Sequence, residues 1–234
     1  MITSLWLCVV GPPPAAALPQ WAYGYGRMAV TEDLSSVCEG ILNSLQCARA
    51  IEKYQQARPG ARFRRSRDVV TITLEDGQSV SLRDEFSKNA NGEATKRKSY
   101  SYIEFLPQMK QHLVHVQHYE GHCFWLVDAR SGSKTEICGV PIRAPSGRRF
   151  ACYYSSLEDP SSIEVWRITA NGFQREMAFT PVGWVPTDLV WLGDDSIRIA
   201  KESYEGEPLG DALVNRTGSN WVCEEGNRKR GRDD

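Results

Sequence analysis

From residue 112 to residue 223 the chain repeats one device: a run of β-branched and aromatic residues, a tight turn built on glycine or aspartate, and a second run. Runs this short, punctuated by hairpin-turn residues, favour antiparallel sheet over helix. A first unit reads as a strand over 112–119, the turn Glu120-Gly121, a strand over 122–129, the turn Ser131-Gly132 and a strand over 134–138. A second covers 148–154, a turn around Asp159-Pro160, 163–169, the turn Asn171-Gly172 and 173–180. A third begins at Trp191-Leu192-Gly193-Asp194-Asp195 and continues through 196–201, 212–215 and 220–223. Gly132 and Gly172 stand 40 residues apart at equivalent turns, within the roughly 40 to 50 residue period of blade-like repeats. The expectation is a mainly β chain, β-propeller-like or otherwise an antiparallel β-repeat. A sandwich or open barrel uses the same hairpins.

Upstream, residues 69–74 alternate, Glu75-Asp76-Gly77-Gln78 turns and 79–82 returns, which predicts a further hairpin. Before it, Leu34, Val37, Ile41, Leu42, Leu45, Ala48, Ile51 and Tyr54 follow helical order behind Ser35-Ser36 and stop at Arg58-Pro59-Gly60. This predicts one amphipathic helix over 35–57, with the stripe Val37, Ile41, Leu45 and Ala48 buried against the sheets. Residues 84–99 are polar and read as a long solvated loop. Residues 1–18 combine a short apolar run with small residues and read as a possible signal peptide, 19–33 as an arm, 34–226 as one β-rich domain and 227–234 as a disordered basic tail.

The segment Ala144-Pro145-Ser146-Gly147-Arg148-Arg149-Phe150-Ala151 resembles the turn that opens a blade strand in propellers of the TolB type. It is followed, as there, by an Ile163-Glu164-Val165-Trp166 strand and a turn at Ala170-Asn171-Gly172, and Trp191 to Ile197 is a degenerate second copy. Ser146 stands where that turn has aspartate, and the match covers about a third of the chain. The chain is similar in general style to small secreted bacterial proteins with an N-terminal helix and such repeats. The resemblance implies an all-β repeat fold and brings no catalytic residues with it.

With 28 basic against 29 acidic side chains and a net charge of -1, the chain lacks the basic field of a nucleic-acid binder. Arg62, Arg64, Arg65 and Arg67 are a short positive segment between helix and hairpin. No run approaches the roughly 18 apolar residues that span a membrane. If a leader is removed, Cys8 leaves with it and Cys38, Cys47, Cys123, Cys138, Cys152 and Cys223 remain, an even set that suits disulfides in a periplasmic or secreted protein. On a continuous helix Cys38 and Cys47 face opposite sides roughly 13 Å apart, so they pair only if the helix breaks. Cys123 and Cys138 flank a hairpin and need a register shift to bridge.

All four histidines fall within His112, His115, His118 and His122, a cluster with the donor chemistry for zinc or copper. On a strand, however, His112 and His118 point one way and His115 the other, and Cys123 and Asp128 are the residues available to complete a site. Motifs for a nucleophile elbow, a zincin, a phosphate loop or a dinucleotide fold are absent, and no cofactor is expected. Trp184, Trp191 and Tyr153 are the candidate partner-binding aromatics, Trp184 because Gly183 and Pro186 flank it in an expected loop. Two functions follow: a non-catalytic exported module that binds another protein, of the inhibitor, immunity or envelope-scaffold kind, or a metal protein or metal-dependent enzyme using the histidines.

Overall fold

A computed structural model of the chain describes residue 34 and residues 36–41, 43–88, 94–119, 121–156 and 160–225. The expected leader, arm and basic tail lie outside these. The described residues form a mainly β protein of four antiparallel sheets, each made from one continuous stretch of chain, with one helix near their start.

The first sheet is β1 (Phe63–Ser66), β2 (Val69–Thr73) and β3 (Ser79–Arg83). The second runs in order through β4 (Glu85–Lys88), β5 (Ala94–Leu106), β6 (Gln111–Gln117), β7 (His122–Asp128) and β8 (Lys134–Ile137). The third holds β9 (Ile142–Arg143), β10 (Arg149–Tyr154), β11 (Ser162–Thr169) and β12 (Gly172–Phe179), and the fourth β13 (Val185–Gly193), β14 (Ser196–Glu202), β15 (Pro208–Thr217) and β16 (Asn220–Glu225). The three sequence units are the last three strands of the second sheet, the last three of the third, and the whole of the fourth.

Three cores explain why the middle strands are apolar on both faces. Phe63, Val70, Ile72 and Leu82 of the first sheet meet Tyr100, Tyr102, Val114, Val116 and Val127 of the second. The opposite face of the second sheet, with Ile103, Leu113, Phe124, Leu126 and Ile137, meets Phe150, Cys152 and Trp166 of the third. The other face of the third sheet, Ala151, Tyr153, Ile163 and Val165, meets Leu189, Ile197, Ile199, Ala212 and Val214 of the fourth. Successive strand residues serve successive cores, as the period of two requires. The turns interlock as well: Gly132, with φ 70°, lies where a Cβ would come within 2.5 Å of Val80, and Ser146 N donates to Asp194 Oδ1 at 2.9 Å, joining the two copies of the resembling turn.

The helix differs from its expectation. A 3-10 turn, Ser36–Cys38, ends near Gly40 at φ 76°, and α1 (Ser44–Gln56) starts afresh with Asn43 as N-cap, its side chain accepting from Gln46 N. The break brings Cys38 to Cys47, and they form a disulfide with Cα atoms 5.1 Å apart. The buried face is therefore Cys47, Ala48 and Ile51 with Ser44 and Glu52, while Leu45 is only half-buried. The loop expected over 84–99 contains β4 and the first half of β5, paired Glu85 to Lys98 and Phe86 to Arg97. Phe86, Ser87 and Lys88 are exposed, so this ribbon has no apolar alternation to betray it. The arginine-rich segment contains β1, whose Phe63 alone is buried.

Glu52 is the buried charge of α1, and its surroundings account for it. Arg65 Nε and Nη2 reach its carboxylate at 2.6 and 3.0 Å, and Tyr102 N donates to it at 2.8 Å. Asp84 accepts from Tyr100 N at 2.9 Å and from Arg49 Nη2 at 2.6 Å, while Arg65 Nη2 also donates to Tyr100 O. Side chains thus take the hydrogen-bonding groups of β5 where β4 has ended.

Candidate functional site

The four histidines do not converge. His112 lies fully buried in the second sheet, its Nδ1 3.1 Å from the Tyr102 hydroxyl and its Nε2 without a partner. Burial, with Arg62 nearby, lowers its pKa to about 4. His115 projects from the opposite face, fully buried, both ring nitrogens without partners, beside His122 (ring centroids 4.9 Å) and Phe124 (5.3 Å). Burial pushes its pKa well below the ordinary value, and His122, Arg49 and His118 add to this. The sheet itself divides the cluster, His112 and His115 being three residues apart on one strand.

His118 takes different company. Its Nε2 lies 3.4 Å from Cys123 Sγ, and a Glu136 carboxylate oxygen joins them with all three ligand atoms within 4.8 Å of one another. Burial first, and Glu136 next, push the Cys123 thiol up to about 12. Asp128, the other residue expected to complete a site, instead accepts from Gln111 Nε2 and from the turn at Arg130 and Ser131. The sequence reading had His118 and Cys123 but missed Glu136, whose place depends on the register of β8: Glu136 pairs with Trp125, on the same face as Cys123.

The cysteine pairings fall out otherwise than the hairpin suggested. Cys138 Sγ lies 2.9 Å from Cys152 Sγ, with Cys152 Sγ 3.7 Å from Glu164 Oε2. Glu164 is itself held by Trp166 Nε1 (2.9 Å), Cys138 N (3.1 Å) and Arg175 Nη1 (3.0 Å). Cys223 packs at the margin of the third core.

Of the three candidate partner-binding aromatics, two are buried and the third is half-buried. Trp184 is 3% exposed and Tyr153 buried, both between the third and fourth sheets, with the Tyr153 hydroxyl donating to Thr187 O at 3.0 Å. Trp191 is half-buried, donating from Nε1 to Ile142 O at 2.9 Å with its ring edge-on to Trp221. Large rings fill the space between facing sheets, which is why a tryptophan beside glycine and proline is core here. Trp184 and Tyr153 expose almost none of their surface, whereas Trp191 remains partly exposed.

A cleft of about 420 Å³ opens between the end of α1 and β5, lined by Arg58, Arg62, Phe63, Tyr102, Glu104 and Phe105. Arg62 stands 4.0 Å over the Phe105 ring, and burial raises the Glu104 pKa. Tyr102, which lines the cleft, is hydrogen-bonded to the buried His112.

The outer face of the fourth sheet groups several exposed apolar side chains. Val190 and Leu192 on β13, Leu213 on β15 and Val222 on β16 are exposed there, Leu192 at 58%, around Arg198 and Asp211. The outer face of the first sheet is different: it carries Arg64, Thr71, Thr73, Ser79, Ser81 and Arg83, with Thr71 and Ser81 hydroxyls 3.4 Å apart.

No family model matches the chain. No curated protein is similar to it in sequence. Among solved structures, a crystal structure of a mutant puromycin hydrolase complexed with PGG is similar over 69% of this chain and 27% of its own, with a TM-score of 0.35 and 11% identity. The chain thus spans about a quarter of that protein.

Proposed function

We propose that this chain is a non-catalytic protein-binding module of an oxidising compartment, periplasmic or secreted, whose propeller-like sheets end in a docking face. The observation that carries this reading is the contrast between its two ends. Each internal sheet is covered on both faces, the first sheet ends the series in hydroxyls and arginines, and the last ends it in Val190, Leu192, Leu213 and Val222. A stack of repeats needs a polar cap at each free end, and an end face of exposed aliphatic side chains around a single Arg198–Asp211 pair is the opposite of such a cap and suits an interface. Its occupant is a sheet of another protein, presenting aliphatic side chains as every neighbouring sheet inside this molecule does. The Cys38–Cys47 disulfide supports the compartment.

A photo-crosslinking amino acid at Leu192, with Thr71 as the control, tests this in native extract. One discrete heterologous adduct at 192, absent at 71 and lost on adding Leu213→Arg, is expected, followed by reconstitution with the identified protein. Matching adducts at both positions, or a concentration-dependent homodimer that Leu213→Arg abolishes, would overturn it.

A further inference from the structure

We propose that His118, Cys123 and Glu136 form a binding site for a divalent cation of the zinc class, a property separate from the docking face. The three residues come from one continuous surface of the second sheet. Val116 pairs with Cys123 and Trp125 with Glu136, so on that face Cys123 has His118 diagonally on one side and Glu136 diagonally on the other. One imidazole, one thiolate and one carboxylate are the donor set of zinc, with a fourth position left to water or to an incoming group.

The distances separate this cluster from its neighbour. In tetrahedral zinc coordination, a sulfur at about 2.3 Å and an imidazole nitrogen at about 2.0 Å lie roughly 3.5 Å apart; His118 Nε2 and Cys123 Sγ lie 3.4 Å apart. Two zinc-bound sulfurs lie about 3.8 Å apart by the same geometry, whereas Cys138 and Cys152 stand at 2.9 Å, too close to share an ion. The Cys138–Cys152–Glu164 cluster also has its carboxylate engaged by three donors. Glu136 is aimed by Trp125, whose Nε1 donates to Oε2 at 3.2 Å, the outer-sphere support that fixes a ligating carboxylate. Lys98, with Nζ 4.4 Å from the Trp125 ring, is the cation facing the site and opposes a metal ion there.

Cobalt(II) reports on the site in the purified full chain. One equivalent per chain should give a thiolate-to-cobalt charge-transfer band in the near ultraviolet, reversed by zinc. Cys123→Ser should abolish the band. His118→Ala should weaken binding more than about 100-fold, beyond the loss of an outer-sphere partner, and Lys98→Met should tighten it. Glu136 is exposed, so Glu136→Gln keeps the fold and weakens zinc affinity, read by competition with a chromophoric chelator. The Cys138→Ser, Cys152→Ser double variant should keep the band. No thiolate band in the native chain, a band that survives Cys123→Ser, or one lost with the Cys138/Cys152 pair would overturn the site.

Discussion

Glu52 and His115 are both buried polar side chains, and their partners set them apart. Glu52 has Arg65 and a backbone N–H; removing its carboxylate in Glu52→Ala takes the nearer carboxylate from Arg65, which is left with Asp84 and Tyr100 O, and leaves Tyr102 N without its acceptor, and should cost about 3 kcal/mol, measured by urea unfolding. His115 has no partner, so His115→Leu should leave stability at pH 7 unchanged or raise it by about 1 kcal/mol. Its folded-state pKa is held well below 6.5, chiefly by burial and then by His122, Arg49 and His118. The unfolded chain therefore binds protons that the folded chain refuses, and stability complete above about pH 6.5 is lost as pH falls below it. The loss of stability between pH 7 and pH 5 should be smaller in His115→Leu, with His112, at about 4, supplying part of what remains. An unchanged loss would contradict this account. Trp184→Ala, at a position expected from sequence to lie in a partner-binding loop, should destabilise by about 3 to 5 kcal/mol, since the ring fills the third core.

At the scale of elements, the strands of the repeats were legible because turn glycines and aspartates bracket apolar runs; all three units appear at their expected places. The helix was legible as helical from 44 onward, but its start was not: Gly40 lies within a periodic apolar pattern, and only the disulfide and the Asn43 cap reveal that the chain turns there. Hence Leu45, on the expected stripe, misses the core that Ile51 enters. Strands β1 and β4 escaped because their exposed side chains carry no alternation. The candidate metal residues were half visible, since diagonal neighbours across β7 and β8 depend on register. Cys138, just past β8, meets Cys152 on β10 across the space between the second and third sheets. Disulfide formation there moves two hydrogens to a disulfide oxidant such as oxidised glutathione, which leaves as two thiols. Non-reducing peptide mapping of protein made under oxidising conditions should find Cys138 linked to Cys152 as well as Cys38 to Cys47, with Cys123 and Cys223 outside any disulfide. Four free thiols after such treatment would mean that Glu164 holds the pair reduced.

For the molecule as a whole, each core joins only adjacent sheets, so stability is distributed as in a repeat array. Ile199→Ala, in the core between the third and fourth sheets, should speed amide hydrogen exchange in β13–β16 and leave β1–β3 close to native rates. Uniform acceleration across all four sheets would show one indivisible cooperative unit instead. The sheet order also has a consequence for biosynthesis. Because every sheet is drawn from an unbroken stretch of chain, each can assemble soon after its residues reach the compartment in which the chain folds, and its exposed face then waits only for the sheet that follows it. The exception is α1, made before all of them, whose apolar face must stay uncovered until β5 and β6 arrive. The Cys38–Cys47 bond, closing a loop of local sequence, is available throughout that interval to hold the helix start in shape.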